Sequence, residues 1–318
     1  MAFKGTFLIL YKPWTPESHL AFMDSLNITH TVLSITAPGT HLVPSDDKLA
    51  KVVTREANDY MSLLCMQHPS RFSFFASLPL PNIEDSLSEI EYAAKAPGFK
   101  GFSLMTNAHG IYLGDPHFDP IFSALNKIHA IVFIHPTNCH HVASSNTDVN
   151  IVNPLAGLPA SMLEYIFDST RCITSLLLSA TPQRFPNLTF VVPHCGSTLT
   201  ATLARISGFS TRMLKTKLPG ATDLQGMKKV LKDRFHFDLA GFVMPDQLEG
   251  VLSTGLGGGE GNLEGSRLLY GTDYPYMNKE VLGDLATELD AGLSELFEER
   301  ESSIEGIYMN NAKKLLGL

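Results

Sequence analysis

The sequence predicts an α/β fold built as a single (β/α)8 barrel with extra C-terminal helices. Three observations predict it. Eight short apolar runs alternate strictly with longer amphipathic ones, the pattern of a parallel sheet wrapped by helices. Runs such as Ala130-Ile131-Val132-Phe133-Ile134 are apolar without a break, which requires burial on both faces. The chain of 318 residues carries no linker, the longest Gly-rich stretch being Gly255–Asn262, so one domain over 1–318 accounts for it. An open doubly wound sheet also fits the alternation; the count of eight and the single-domain length favour the barrel.

In chain order, the strands are expected at Thr6–Leu10, Thr31–Ile35, Phe72–Ser77, Phe99–Leu104, Ala130–His135, Thr189–Pro193, Phe235–Leu239 and Leu268–Gly271. Each is short, rich in β-branched or aromatic residues, and bounded by turn formers. The first is atypical or shortened. Helices fill the intervals. Thr15–Leu26 opens on a capping Thr followed by Pro16 at the first helical position. Ser45–Gln67 starts at Ser45-Asp46-Asp47, and Asn82–Ala96 starts on an Asn cap and stops at Pro97-Gly98. Pro116–Ile128, Leu158–Ala180, Ser197–Leu214, Leu224–Asp233 and Asp246–Leu252 follow, and Lys279–Ala291, Ser294–Glu305 and Ile307–Leu316 close the chain.

Hydrophobic residues at 44% and charged residues at 18% exclude a disordered chain. Lys and Arg number 24 against 32 Asp and Glu, a net charge of −8, which argues against a nucleic-acid partner. No run approaches the length of a membrane-spanning helix, and Phe7–Leu10 is too short for a signal-peptide core. A cytoplasmic protein with no membrane partner is expected. Cys65, Cys139, Cys172 and Cys195 are widely spaced, so they are expected to be reduced rather than bridged.

In such a barrel, reactive side chains sit at the C-terminal ends of the strands. The fifth strand ends at His135-Pro136 and the sixth at Pro193-His194-Cys195-Gly196. The seventh ends at Asp238 and the eighth at Gly271-Thr272-Asp273-Tyr274-Pro275. Any one strand-end histidine is ordinarily a satisfied core residue; two histidines and two aspartates meeting on one rim point to chemistry. Imidazole with carboxylate suits Zn, Mn or Fe, so the residues imply a metal-assisted reaction on a small polar substrate. His41, after the second strand, could reach that substrate. Arg205 and Arg212, on the helix after His194, either bind a carboxylate or face solvent. Cys139-His140-His141 reads as a loop at the pocket mouth, and Gly255–Glu260 as a surface loop rather than a phosphate cradle.

Ile134-His135-Pro136, Pro193-His194-Cys195-Gly196 and Gly271-Thr272-Asp273-Tyr274-Pro275 resemble the strand-end signatures of the amidohydrolase superfamily, in particular its decarboxylating branch, typified by aminocarboxymuconate-semialdehyde and gamma-resorcylate decarboxylases. The stretches Trp14–Leu20, Met23-Asp24 and Leu33–His41 resemble fungal 6-methylsalicylate decarboxylases. The resemblance runs from about Lys12 to the C-terminus. It implies a divalent metal, Zn or Mn, on His135 and Asp273, and a catalytic pair formed by Asp273 as proton donor to the ring and His194. It further implies a small aromatic carboxylic acid as substrate, no organic cofactor, and a homodimer or homotetramer; His41 and Arg205, from their positions after the second strand and on the helix after His194, are the expected substrate contacts. The family's first strand carries His-x-His or Glu-x-His, whereas here no His or carboxylate precedes Glu17. The expectation is therefore an N-terminus shortened or replaced, by roughly 20 to 30 residues of the barrel's length.

The expected function is non-oxidative decarboxylation of a 6-methylsalicylate- or orsellinate-class acid in polyketide secondary metabolism. A hydrolase on the same barrel would need a bridging lysine at the end of the fourth strand, and Lys100 precedes that strand's core. A non-catalytic barrel is the rival that the missing first-strand ligands favour.

Overall fold

The computed structural model describes residues 14–142, 149–155, 157–214, 218–258, 265–298 and 300–318. The strand expected at Thr6–Leu10 and most of the Gly-rich loop after Gly258 lie outside the described residues.

The chain opens with α1 (Pro16–Ser25), where the Thr15 hydroxyl accepts the Ser18 N–H and Pro16 stands in the first turn. Next come β1 (Thr31–Leu33), α2 (Asp47–Gln67), β2 (Phe72–Ser77) and α3 (Ile83–Ala93). α2 begins one residue later than Ser45 would cap it, because Asp46 accepts the Leu49 N–H at 2.9 Å. β3 (Phe99–Met105) runs into a hairpin of β4 (Asn107–Ala108) and β5 (Ile111–Tyr112), and α4 (Asp119–Lys127) leads to β6 (Ile131–His135). A second hairpin, β7 (His140–Val142) and β8 (Val149–Ile151), precedes α5 (Ala160–Leu178) and α6 (Thr181–Arg184). Then follow β9 (Thr189–Val192), α7 (Leu199–Arg212), α8 (Leu224–Arg234), β10 (Phe235–Asp238), α9 (Asp246–Ser253) and β11 (Leu268–Leu269). α10 (Lys279–Leu296), α11 (Glu301–Glu305) and α12 (Asn311–Leu316) end the chain.

Seven strands form one sheet in the order β1-β2-β3-β6-β9-β10-β11, every pairing parallel. These are the seven predicted strands that fall among the described residues. The last is shorter than Leu268–Gly271, since its ladder stops at Leu269 opposite Asp238. The helix expected over Ser294–Glu305 divides between the end of α10 and α11. α10 runs through Gly292 because that glycine admits Met244; a Cβ there would lie 1.9 Å from the Met244 methyl.

Phe74, Phe102, Val132, Ile134, Phe190 and Phe237 are fully buried along the strands and make one continuous core with the helices. The sheet curls. Phe22 on α1 stacks on Tyr274, beyond β11, with ring centroids 4.2 Å apart, and the Tyr274 hydroxyl lies 3.4 Å from Ser18. α1 thus ties the start of the sheet to its end. No helix among the described residues is long and apolar enough to cross a membrane. The four cysteines are free thiols.

Candidate active site

The C-terminal ends of β6, β9, β10 and β11 deliver His135, His194, Asp238 and Asp273 to one cavity of about 1210 Å³. Phe75, Phe133 and Val191 give it apolar walls, against which the polar groups are set.

His135 closes β6. Its Nδ1 lies 2.6 Å from the Pro136 carbonyl, which can only accept, so Nδ1 carries the proton. Nε2 is then a lone pair, and it receives the Thr36 hydroxyl at 3.3 Å. Burial lowers its pKa to about 4, with His194 adding to the effect and the Pro136 carbonyl opposing it, so the ring is neutral near pH 7. The main chain around it is held from below. Thr106 donates its N–H to the His135 carbonyl at 2.9 Å, and its hydroxyl accepts the Thr137 N–H at 3.2 Å. Thr106 and Tyr112 donate their hydroxyls to Asp168, and Asn107 adds an N–H at 3.0 Å. Asp168 is fully buried, and these donors, with Arg171 at 3.8 Å, compensate its charge.

His194 follows β9 in an unusual backbone. His194, Cys195, Gly196 and Ser197 all have positive φ, at 55°, 53°, 75° and 61°. Three are not glycine, and each such residue costs about 1–2 kcal/mol in this region. The cost is borne where the ring is aimed. Nδ1 donates to the Ala240 carbonyl at 3.0 Å, leaving Nε2 as the remaining nitrogen. Cys195, beneath it, is buried, and burial pushes its thiol far above the usual range, so it is no nucleophile.

Asp273, too, sits at positive φ, 57°. Burial raises its carboxyl to about 6; the nearby Asp238 charge pushes the same way and His194 opposes it. Asp238 is also raised by burial, against the pull of His194 and of the two backbone N–H groups it accepts.

Of the five residues expected at the site, His135, His194 and Asp273 line the cavity, while His41 and Arg205 do not. His41 is buried with both ring nitrogens engaged, Nε2 with Asp47 and Nδ1 with His109, each at 2.9 Å. Arg205 is exposed on α7, over the Phe209 ring at 4.7 Å, the solvent-facing alternative for that helix. Lys100 reaches the Gly317 carbonyl at 3.3 Å and does not line the cavity. His140 bonds Asn107 Oδ1 through Nδ1 at 3.0 Å; the side chain of His141 lies outside the described residues. Thr36 carries no chemical signature in the sequence, and its role comes only from the curl that sets the loop after β1 beside β6.

The cavity offers His135 and Asp273 as donors for a divalent metal. A tightly held ion takes three or four protein ligands. Among the described residues no group of three or more His, Cys, Asp or Glu is placed to hold one, and the His135 Nε2 already receives a hydroxyl. The described residues therefore do not fit a complete metal centre.

The amidohydrolase family model matches residues 10–244. The decarboxylase yanB of Aspergillus niger is 32% identical over 295 residues, covering 92% of this chain and 76% of its own. The 6-methylsalicylic acid decarboxylase of Penicillium expansum is 29% identical over 296 residues, covering 92% of this chain and 84% of its own. Among solved structures, a 5-carboxyvanillate decarboxylase from Novosphingobium aromaticivorans, complexed with manganese, superposes with a TM-score of 0.74 at 23% identity, over 95% of this chain and 80% of that one.

Proposed function

The chain belongs to the amidohydrolase family, and from that premise we propose that it is a carbon–carbon lyase decarboxylating a salicylate-type aromatic acid, of the 6-methylsalicylate or orsellinate class, in polyketide secondary metabolism. The observation that carries the reading is the meeting of Asp273 and His194 in one apolar-sided cavity, at the ends of strands in a parallel sheet. The relatives named as decarboxylases support it.

The chemistry follows from these side chains. The apolar walls, Phe75 and Phe133 among them, take the ring of the substrate and exclude water. Asp273 gives a proton to the ring carbon that bears the carboxylate. The C–H bond forms at the cost of aromaticity, which an ortho-hydroxyl on the ring makes accessible. The carbon–carbon bond then breaks, CO₂ leaves, and its electron pair restores the ring. His194, held through Nδ1, presents Nε2 to the phenolic oxygen and follows its change in charge. Overall, the carboxylate and one proton become the decarboxylated arene and CO₂, and Asp273 regains its proton from solvent. Zn or Mn on His135 and Asp273 would be held weakly, because two donors are fewer than a tight site takes.

In this reading the chain is one barrel domain over 1–318, cytoplasmic, acting as a homodimer or homotetramer. The two-donor set is the one observation that favours a non-catalytic barrel instead. CO₂ release from 6-methylsalicylate and from orsellinate decides between them. The expected result is turnover of at least one acid, and a loss of about 10³-fold in Asp273→Asn, the range of a lost general acid. No turnover of either, with Mn or Zn supplied, overturns the reading.

A further inference from the structure

A single oxygen joins the loop that carries His194, after β9, to the loop after β10. Asp238 Oδ1 accepts the His194 backbone N–H at 3.3 Å and the Ala240 backbone N–H at 3.0 Å. The Ala240 carbonyl in turn accepts His194 Nδ1–H at 3.0 Å. The clasp is closed: carboxylate oxygen, Ala240 peptide, imidazole, His194 peptide, carboxylate oxygen. It spans 44 residues of sequence between β9 and β10, and it holds a turn whose four consecutive residues all have positive φ. The surroundings are shaped to it. A Cβ on Gly271 would lie 3.1 Å from the Asp238 carboxyl carbon, and one on Gly241 would lie 3.3 Å from His194 Nδ1. At either glycine a Cβ would be a tight contact, and the clasp would have to give by a few tenths of an ångström.

We infer that Asp238 is the positioning residue of the site: its Oδ1 fixes the Ala240 carbonyl, which selects the Nδ1–H tautomer of His194 and aims Nε2 into the cavity. The role needs an acceptor atom and not a charge. Both bonds go to one oxygen, and the amide oxygen of an asparagine can accept the same two N–H groups. A proton-carrying role for Asp238 predicts the opposite, that asparagine is as damaging as alanine.

The inference rests on the proposed role of His194, yet its test needs no substrate. Nitrogen NMR of the ¹⁵N-histidine-labelled protein at pH 8 reports the tautomer of each ring, with the His194 signals identified by their loss in His194→Gln. The expected result is the Nδ1–H tautomer in the wild type and in Asp238→Asn, and a mixture with Nε2–H in Asp238→Ala. An Nε2–H wild type, an unchanged tautomer in Asp238→Ala, or an Asp238→Asn that behaves like alanine each overturns it. If Asp238→Ala does not fold, Asp238→Leu, which keeps most of the side-chain volume and removes the acceptor, takes its place with the same expected mixture, and an unchanged tautomer there overturns the inference. On the acid that the wild type turns over, kcat falls about 100-fold in Asp238→Ala with KM within about threefold, the pattern of a misplaced catalytic group. Asp238→Asn stays within about threefold of wild type in both. A wild type without turnover removes the decarboxylase reading and leaves the tautomer result to decide the role of Asp238.

Discussion

His135, His194 and Asp273 reach the cavity through left-handed or strand-terminal backbone, and each is oriented by a main-chain carbonyl or by burial. Their positions were legible in the sequence, because a polar residue at the end of an apolar strand has nowhere to go but the rim. What orients them was not legible. The Pro136 and Ala240 carbonyls and the Thr36 hydroxyl have no side-chain signature, and the Asp238 clasp joins peptides far apart in sequence. His41 follows a strand in the same way, but it is drawn into bonds with Asp47 and His109 instead. The metal question also belongs to this scale. With His135 and Asp273 as the proposed donors, and no group of three or more His, Cys, Asp or Glu placed to hold an ion among the described residues, a divalent ion would be held weakly. Elemental analysis after dialysis against metal-free buffer is expected to give well under one Zn or Mn per chain. One ion per chain, lost in His135→Ala, contradicts this.

Strands were easier to foresee than their connections. The seven described strands lie within a few residues of expectation because most are largely apolar runs buried in the sheet, and that composition is hard to mistake. The two hairpins were missed: β4 and β5 are two residues each, too short for any periodicity, and the polar network on Asp168 holds that turn. Helix ends moved by a residue or more where a neighbouring cap or a close approach decided them, as at Asp46 and Gly292. α1 has the most consequence. Its Phe22, 1% exposed, fills the space against Tyr274 next to Asp273. Phe22→Ala is expected to cost about 3–5 kcal/mol, read from the urea midpoint, as for other buried Phe→Ala changes. It should also lower turnover, because it loosens the segment that carries Asp273. A cost below about 1 kcal/mol would mean that α1 does not tie the ends of the sheet together.

Across the whole molecule, burial of histidine sets an acid limit. Burial lowers His19, His109 and His236 from their ordinary 6.5 to about 4, with neighbouring histidines helping at His109 and Arg267 and Lys314 at His236. Above pH 6.5 these rings are neutral folded or unfolded and contribute nothing to the pH dependence. As pH falls from 6.5 to 4, the unfolded chain takes protons that the folded one refuses, so stability is lost across that window. Asp273, raised to about 6, works the other way and offsets part of the loss. The urea midpoint is expected to be lower at pH 5 than at pH 7.5, with the slope unchanged; equal midpoints would show that the rings are not buried neutral. The parallel α/β architecture, the strands of its main sheet and the three rim residues follow from the sequence, because hydrophobic burial and strand-end geometry act locally along the chain. Only the tertiary structure decided which rim residues share a cavity, which tautomers they hold and that Asp238 joins their loops. Those depend on hydrogen bonds and packing between segments far apart in sequence, such as the ends of β9 and β10, that meet only when the chain folds.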